Sequence, residues 1–256
     1  MYSSKESTLF KDTKKAKQNM PEPQHIKAKR GEIAERVIIS GDPARVVQLS
    51  KNLKDAKLVN ENRGYLTYTG DYNGQRVSIC SHGVGAASAA IVIEELIMFG
   101  AKAILRFGSC GGFLKPMKIG DLVIATGAAY LGGTLQQYVS EHISPVPDFE
   151  LTQLLTDTAK GQGVKYYIGP VFSSDAFYAE DPHFVGKWSE RGYIAVEMEC
   201  ATLFGLGMMR GVKTASALLV SDNLAEMQPM VDAQVLRGYV EKVSKLVFDS
   251  ICRARL

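Results

Sequence analysis

Four segments of the chain, residues 36–40 (RVIIS), 103–107 (AILRF), 122–126 (LVIAT) and 214–220 (TASALLV), are apolar at consecutive rather than alternate positions. A strand of that kind has no face to show to water and must be covered on both sides. The cover is at hand, because the stretches 87–99, 149–160, 183–191, 199–209 and about 231–251 carry the spacing of helices. Further strands are expected at 165–172 and 194–196. Two short β-rich runs, 65–69 and 75–80, flank Asp71-Tyr72-Asn73-Gly74 and read as a hairpin, which makes the central sheet mixed. The fold class that follows is α/β: a single-domain α/β sandwich with a mixed central β-sheet flanked by helices. At 256 residues and 46% hydrophobic, the chain suffices for one such domain, over 25–256.

Residues 1–24 read differently. They are polar and close on Pro21-Glu22-Pro23, so a basic, disordered extension is expected there. The net charge of +3 comes from this end, since residues 1–30 hold eight Lys/Arg against three Asp/Glu, leaving 22 against 24 in the rest. A near-neutral folded part argues against a nucleic-acid partner. Apolar runs stop well short of the ~20 residues a membrane helix needs, and no apolar signal core follows the N-terminus, so no membrane partner and a cytoplasmic location are expected. Cys80, Cys110, Cys200 and Cys252 show no CxxC and no zinc spacing, so buried thiols and no metal or cofactor are expected.

Charged residues at strand ends mark the candidate site. Gly41-Asp42-Pro43 turns strand 36–40 into a helix expected to reach Leu53, with Asp42 as N-cap and Pro43 at its first position. Arg45 lies just inside that helix and Arg63 precedes Gly64-Tyr65; alone, each reads as a surface residue. Arg106 is more telling, because an arginine inside an apolar strand needs an anion or a carboxylate. It precedes Gly108-Ser109-Cys110-Gly111-Gly112, read as a loop whose N–H groups and Ser109 hydroxyl could also meet an anion. Either phosphate or a structural ion pair satisfies Arg106. Val196-Glu197-Met198-Glu199 closes one strand and opens a helix, so its carboxylates either take the hydroxyls of a ribose or complement the helix N-terminus. Asp222 follows an apolar strand and reads as a cap or as an acid. His25, Phe177 and Tyr178 are ambiguous from position alone.

Taken together, in order and spacing, these residues resemble the nucleoside phosphorylase I family, particularly its hexameric purine nucleoside and archaeal methylthioadenosine phosphorylase branch. The resemblance runs from His25-Ile26 through Gly41-Asp42-Pro43-Ala44-Arg45, Asn62-Arg63-Gly64, Arg106-Phe107-Gly108-Ser109-Cys110-Gly111, Phe172-Ser173-Ser174-Asp175-Ala176-Phe177-Tyr178 and Val196-Glu197-Met198-Glu199 to Val220-Ser221-Asp222. It implies that Gly41, Arg45, Arg106 and Ser109 hold inorganic phosphate as co-substrate. Arg63 and His25 would reach into a neighbouring subunit's site within a homohexamer, a trimer of dimers. Glu199 would take the ribose diol with Met198 against the sugar, Val196 and Glu197 lining the same pocket; Phe177 would stack on the base, and Asp222 would protonate a purine at N7. The activity implied is phosphorolysis of purine nucleosides, with 5′-methylthioadenosine among the candidate substrates.

One departure stands out. Bacterial members carry an arginine thirteen positions after the acid, where this chain has Val235; Arg237 is nearby but out of register. The nearest rival is a uridine phosphorylase, which resembles the chain in its phosphate residues but reads its base with a Gln/Arg pair that is missing after Tyr178. A nucleosidase leaves the arginines unexplained, and a silent nucleoside-binding protein leaves the acid unexplained.

Overall fold

The computed structural model describes residues 22–179 and 181–256, so most of the extension expected at 1–24 lies outside the described residues. Its nine strands are β1 (Arg36–Ser40), β2 (Lys54–Asn60), β3 (Thr67–Tyr72), β4 (Gln75–Ser81), β5 (Ala103–Gly112), β6 (Leu122–Ala129), β7 (Tyr166–Ser173), β8 (Ala195–Glu197) and β9 (Lys213–Asn223). The helices are α1 (Pro43–Ser50), α2 (Ala86–Met98), α3 (Thr134–Tyr138), α4 (Phe149–Gly161), α5 (Phe184–Ser189), α6 (Cys200–Arg210) and α7 (Ala233–Arg253).

The consecutive apolar residues divide between two cores, as a pleated strand requires. Val37 and Ile39 of β1 and Ile104 of β5 pack with Ile93 and Leu96 of α2 and Phe204 of α6. Ile38, Leu105 and Phe107 face the other way, onto α1, α4 and α7 through Leu49, Leu155 and Phe248. Strand order is β2-β3-β4-β1-β5-β8-β7-β6-β9, and β9 returns to pair with β5 as well. The last five strands thus close on themselves. Pairing is parallel for β1–β4, β1–β5, β5–β9, β6–β7 and β7–β8, and antiparallel for β2–β3, β3–β4, β5–β8 and β6–β9. The sheet is mixed as expected, but its closure was not foreseen.

Several boundaries move, each for a local reason. The hairpin strands run on to Tyr72 and Gln75, so the turn is the pair Asn73-Gly74, both at positive φ (52° and 80°), the conformation that suits strand twist. Helix α1 ends at Ser50 rather than Leu53, because the N–H groups of Asn52 and Leu53 turn back three residues, to Leu49 and Ser50 oxygens (3.0 and 3.1 Å). Residues 108–112 are the larger correction: the expected loop is the second half of β5, its register continuing against β9 to Asn223. Strand β2 escaped notice because it is an exposed, charged edge strand, and that character protects an edge from further pairing. All four cysteines are free. Burial pushes the Cys80 thiol up to about 12, which leaves it unreactive at neutral pH.

Glu95 of α2 ties down the N-terminal end of the domain. Its carboxylate accepts the N–H groups of Gln24 (2.9 Å), His25 (3.0 Å) and Ile26 (2.6 Å) and contacts His25 Nδ1 at 2.7 Å. Burial disfavours its charge, but the Ile26 N–H, the His25 ring and the other two N–H groups outweigh burial and hold the carboxyl below its usual range. A depressed native value stabilises the fold above the unfolded carboxyl's pKa of ~4.3 and loses that contribution as pH falls through the native value. Glu95→Ala is expected to cost about 2–3 kcal/mol in urea denaturation at pH 7, with the deficit shrinking at acid pH.

Candidate active site

The charged residues picked out in the sequence converge where β1, β4, β5, β8 and β9 end. Arg106, on β5, is buried, and its guanidinium ion-pairs with Glu199 through Nη2 and lies 3.5 Å from Glu197 through Nη1. Burial works against the charge of Arg106, but Glu199 and Glu197 outweigh it and raise the pKa. The guanidinium lies back over Gly108, where any Cβ would overlap it, so glycine at that position is what admits the arginine.

The two carboxylates do different work, and the two sequence readings of them divide accordingly. Glu197 is the structural one: one oxygen takes the Ser173 hydroxyl, and the other takes the N–H groups of Glu199 and Cys200 (2.8 and 2.9 Å) at the start of α6. Glu199 is less committed. Its Oε1 accepts the Gly85 N–H at 2.6 Å, and its Oε2 meets only Arg106. Burial penalises its charge, but Arg106, His82 and the Gly85 N–H hold the carboxyl below the usual range. Val196 and Met198, both half-buried, flank Glu197.

Arg45 is not the surface residue that its position alone suggested. It is buried, its Nη1 donates to the Phe107 carbonyl at 3.1 Å, and its guanidinium stands over the Phe107 ring at 5.7 Å. Burial brings its pKa down to about 10, with Asp42 opposing that shift and Arg106 adding to it. The α1 start is built as expected, Asp42 accepting the Ala44 N–H at 2.8 Å with Pro43 following. Gly41 lies against the next loop, since a Cβ there would come within 2.9 Å of the Gly83 carbonyl. Ser109 is half-buried on β5 beyond Gly108.

Asp222 lies within β9 and is not a cap; Asn223 does the capping, accepting the Glu226 N–H at 3.2 Å. The pairing of β5 with β9 skips Ser221, so that Asp222 falls opposite Gly111. That bulge aims the carboxyl at β5, where a Cβ on Gly111 would meet Asp222 Oδ2 at 2.8 Å. Burial raises the Asp222 pKa, and the Ser221 hydroxyl, 2.6 Å from Oδ1, opposes the rise. Three residues separate Gly108, under the guanidinium, from Gly111, under the acid, or about 10 Å of strand.

Other expected residues have no side-chain hydrogen bond or ion pair to this cluster among the described residues. Arg63 is exposed, with a left-handed backbone (φ 56°). The neighbouring Asn62 side chain donates to the His25 carbonyl at 2.8 Å, so His25 and Arg63 share one region of surface. Phe177 and Tyr178 are 60% and 89% exposed and stack edge to face in the loop after β7. That loop is rooted in the site, because the Ser174 N–H donates to the Glu197 carbonyl at 2.7 Å. Arg237 is exposed on α7, and only burial and Ser221 act on Asp222.

The buried polar atoms without a hydrogen-bond partner are concentrated here. Of eight such atoms among the described residues, five belong to Ser40, His82 and Arg106. Orphaned buried groups are costly, and their clustering signals a polar ligand. His82 and Ser173 went unmarked in the sequence. The only signal for His82 was a histidine held in a glycine-bounded strand-to-helix turn.

Residues 35–251 match the sequence profile of the phosphorylase superfamily. The chain is 38% identical over 205 residues to a guanosine phosphorylase of Halorubrum lacusprofundi, covering 80% of this chain and 85% of that one. It is 36% identical over 213 residues to a DeoD-type purine nucleoside phosphorylase of Yersinia enterocolitica, covering 82% and 88%. Among solved structures, a uridine phosphorylase of Vibrio fischeri superposes with a TM-score of 0.83 at 30% identity, over 93% of this chain and 100% of that one.

The ion cluster predicts a stability effect separate from any activity. Arg106→Met leaves Glu199 buried without its cation, at an expected cost of about 3–5 kcal/mol in chemical denaturation at pH 7. The deficit should narrow as pH is lowered and the carboxylate takes a proton. A loss that is independent of pH contradicts this account.

Proposed function

The chain belongs to the phosphorylase superfamily, and from that membership we propose that it is a purine nucleoside phosphorylase, cleaving the N-glycosidic bond with inorganic phosphate to give free base and ribose 1-phosphate. The observation that carries the reading is the placing of two buried arginines, Arg45 and Arg106, together with the Asp222 carboxyl of β9, which faces β5 about 10 Å further along from the Arg106 guanidinium. Phosphate would meet Arg45, Arg106, Gly41 and Ser109, and Asp222 would meet the purine. Glu199 would hold the ribose diol, with Met198 and Val196 against the sugar and Phe177 over the base. Glu197 serves the site indirectly, by fixing the start of α6.

The mechanism follows from charge. As the glycosidic bond breaks, the sugar becomes oxocarbenium-like, and a phosphate dianion beside it stabilises that charge before joining C1′. The purine departs neutral if N7 is protonated, and a carboxyl whose pKa burial has raised is suited to that task. Phosphate would also draw Arg106 away from Glu199, freeing Oε2 for the ribose hydroxyls. The reaction as proposed calls on no metal or organic cofactor.

His25 and Arg63 would act across a subunit interface, in a homohexamer built as a trimer of dimers. Their shared surface region, which makes no side-chain bond to the cluster, supports that reading. The guanosine and purine phosphorylases to which the chain is similar favour a purine; the uridine phosphorylase structure keeps the pyrimidine as the second reading. Methylthioadenosine belongs among the substrates to be tested, because the 5′ end of the ribose would lie toward His25.

Asp222→Asn is expected to lower turnover of purine nucleosides by ~10²-fold or more while nucleoside binding survives. Unchanged turnover on inosine overturns the acid assignment. Initial rates with adenosine, inosine, guanosine, methylthioadenosine and uridine, each with and without phosphate, test the reaction and the base together. A kcat/KM for uridine above those of all the purines replaces the first reading by the second. Inactive Arg63→Ala and Asp222→Asn subunits, mixed and reassembled, should regain activity, since some sites then hold both residues intact; a mixture that stays inactive, beside an active wild-type control, counts against the shared site.

A further inference from the structure

His82 takes no part in the chemistry above, yet it stands among the groups that carry it. It follows β4 at the turn into α2, and its backbone is fixed at both ends: its N–H donates to Ser40 at 2.9 Å and its carbonyl accepts the Ser88 hydroxyl at 2.6 Å. The ring is fully buried and neither nitrogen has a well-formed hydrogen-bond partner, though the adjacent Gly83 backbone comes near enough to favour its protonation. Cε1 lies beside Gly41, 3.6 Å from where a Cβ would sit on that residue. The charged groups that act on the ring are Glu199, which favours its protonation, and Arg106 and Arg45, which oppose it.

A packing role would be better served by an apolar side chain, which leaves no polar atom unpaired. The occupant that this ring lacks is therefore polar. Burial brings the imidazole down to about 4, so near pH 7 it is neutral, with one N–H donor and one lone-pair acceptor. The other groups around Gly41 differ in this respect. The arginines and backbone amides only donate, a carboxylate would repel an anion, and the Ser40 and Ser109 hydroxyls can turn to donate or accept, so that they favour neither anion. Inorganic phosphate at neutral pH keeps at least one P–OH, whereas sulfate keeps none. A site made only of donors cannot tell the two apart.

We propose that His82 is a specificity-determining ligand of the phosphate co-substrate, its unprotonated ring nitrogen accepting the P–OH of hydrogen phosphate and thereby discriminating against sulfate. The remaining N–H is left to the neighbouring Gly83 backbone, in the favourable field of Glu199. The inference rests on the phosphorylase reading and assigns to it a fixed acceptor for the P–OH of the anion.

The test compares the wild type with His82→Leu, His82→Gln and His82→Asn. For each, the KM for phosphate and for arsenate, which also carries a hydroxyl, is measured with saturating inosine, and the competitive inhibition constant for sulfate alongside. Direct titration calorimetry of phosphate and sulfate gives the same comparison without turnover. His82→Leu should raise the phosphate and arsenate KM by about 10- to 100-fold, the effect of losing one hydrogen bond to a charged group. Sulfate inhibition should move less than about threefold, and so should kcat and the inosine KM. The amide variants, which keep an acceptor, should recover part of the phosphate affinity; if His82→Leu does not fold, they are compared with each other and the wild type for the same phosphate-to-sulfate ratio. Equal changes for phosphate and sulfate, or an unchanged phosphate KM in a folded variant, overturn the proposal while leaving the phosphorylase reading intact. A wild type that binds no phosphate and releases no base overturns both.

Discussion

The structure is organised around one buried cation. Arg106 sits in the middle of the most heavily paired strand of the sheet, where hydration is lost and an unpaired charge could not persist. Its neutralisation recruits two carboxylates from the β8–α6 junction, and one of them also fixes that junction. Glycine at 108 is required so that the guanidinium can lie back along its own strand. The glycines further along β5 serve other neighbours, Gly111 making room for Asp222 and Val196 and Gly112 for Met117. Closure of β5, β8, β7, β6 and β9 into a ring then brings the ends of β8 and β9 together against β5.

An ion pair built this way is also a device for exchange. Arg106 satisfies Glu199 with one nitrogen and leaves Nε and Nη1 buried without hydrogen-bond partners, Nη1 having only the longer ion pair to Glu197. A phosphate dianion offers the guanidinium more acceptor oxygens than one carboxylate edge does, and the carboxylate it releases gains an open position suited to a diol. Each ligand of the proposed reaction then prepares the site for the other. Linkage makes such an effect reciprocal: whatever phosphate adds to nucleoside affinity, the nucleoside adds to phosphate affinity.

How much of this could be read from the sequence depended on the range of the interaction involved. The doubly covered strands and their helices were legible because burial on both faces leaves a continuous apolar run, as in residues 36–40 and 103–107. The end of β5 was not. Gly108 to Gly112 looks like a loop by composition, and its strand conformation is imposed by β8 and β9 on either side. The same holds for the bulge at Ser221, which decides that Asp222 rather than its neighbour faces Gly111; nothing in Val220-Ser221-Asp222 announces it. Arg106 and the Glu197–Glu199 pair could be singled out because charge beside apolar sequence is conspicuous. Arg45 was picked out by position and resemblance, but its burial could not be read, because on a helix that is half exposed it depends on Phe107, sixty-two residues away. His82 was hidden for the opposite reason, as a lone histidine in a turn gives no sign that the fold will enclose it.

The absence of an arginine at position 235 bears on how Asp222 would work. In the resemblance that first identified the site, that arginine assists proton transfer from the acid; here Val235 and Arg237 are both exposed, and neither acts on Asp222. A nearby cation has two opposed effects on a carboxylic acid. It stabilises the carboxylate left after proton donation, and it lowers the pKa, so that fewer molecules hold the proton beforehand. Asp222 has the reverse balance, because burial favours the protonated form and the Ser221 hydroxyl only partly offsets it. Such an acid holds its proton more readily at a given pH and is a weaker donor for that reason. Its deficit is smallest where the leaving group is already a good proton acceptor at N7. The chain's proposed chemistry therefore rests on an acid whose half-buried setting favours the protonated form, with the Ser221 hydroxyl favouring the conjugate base in the role that an arginine would otherwise serve.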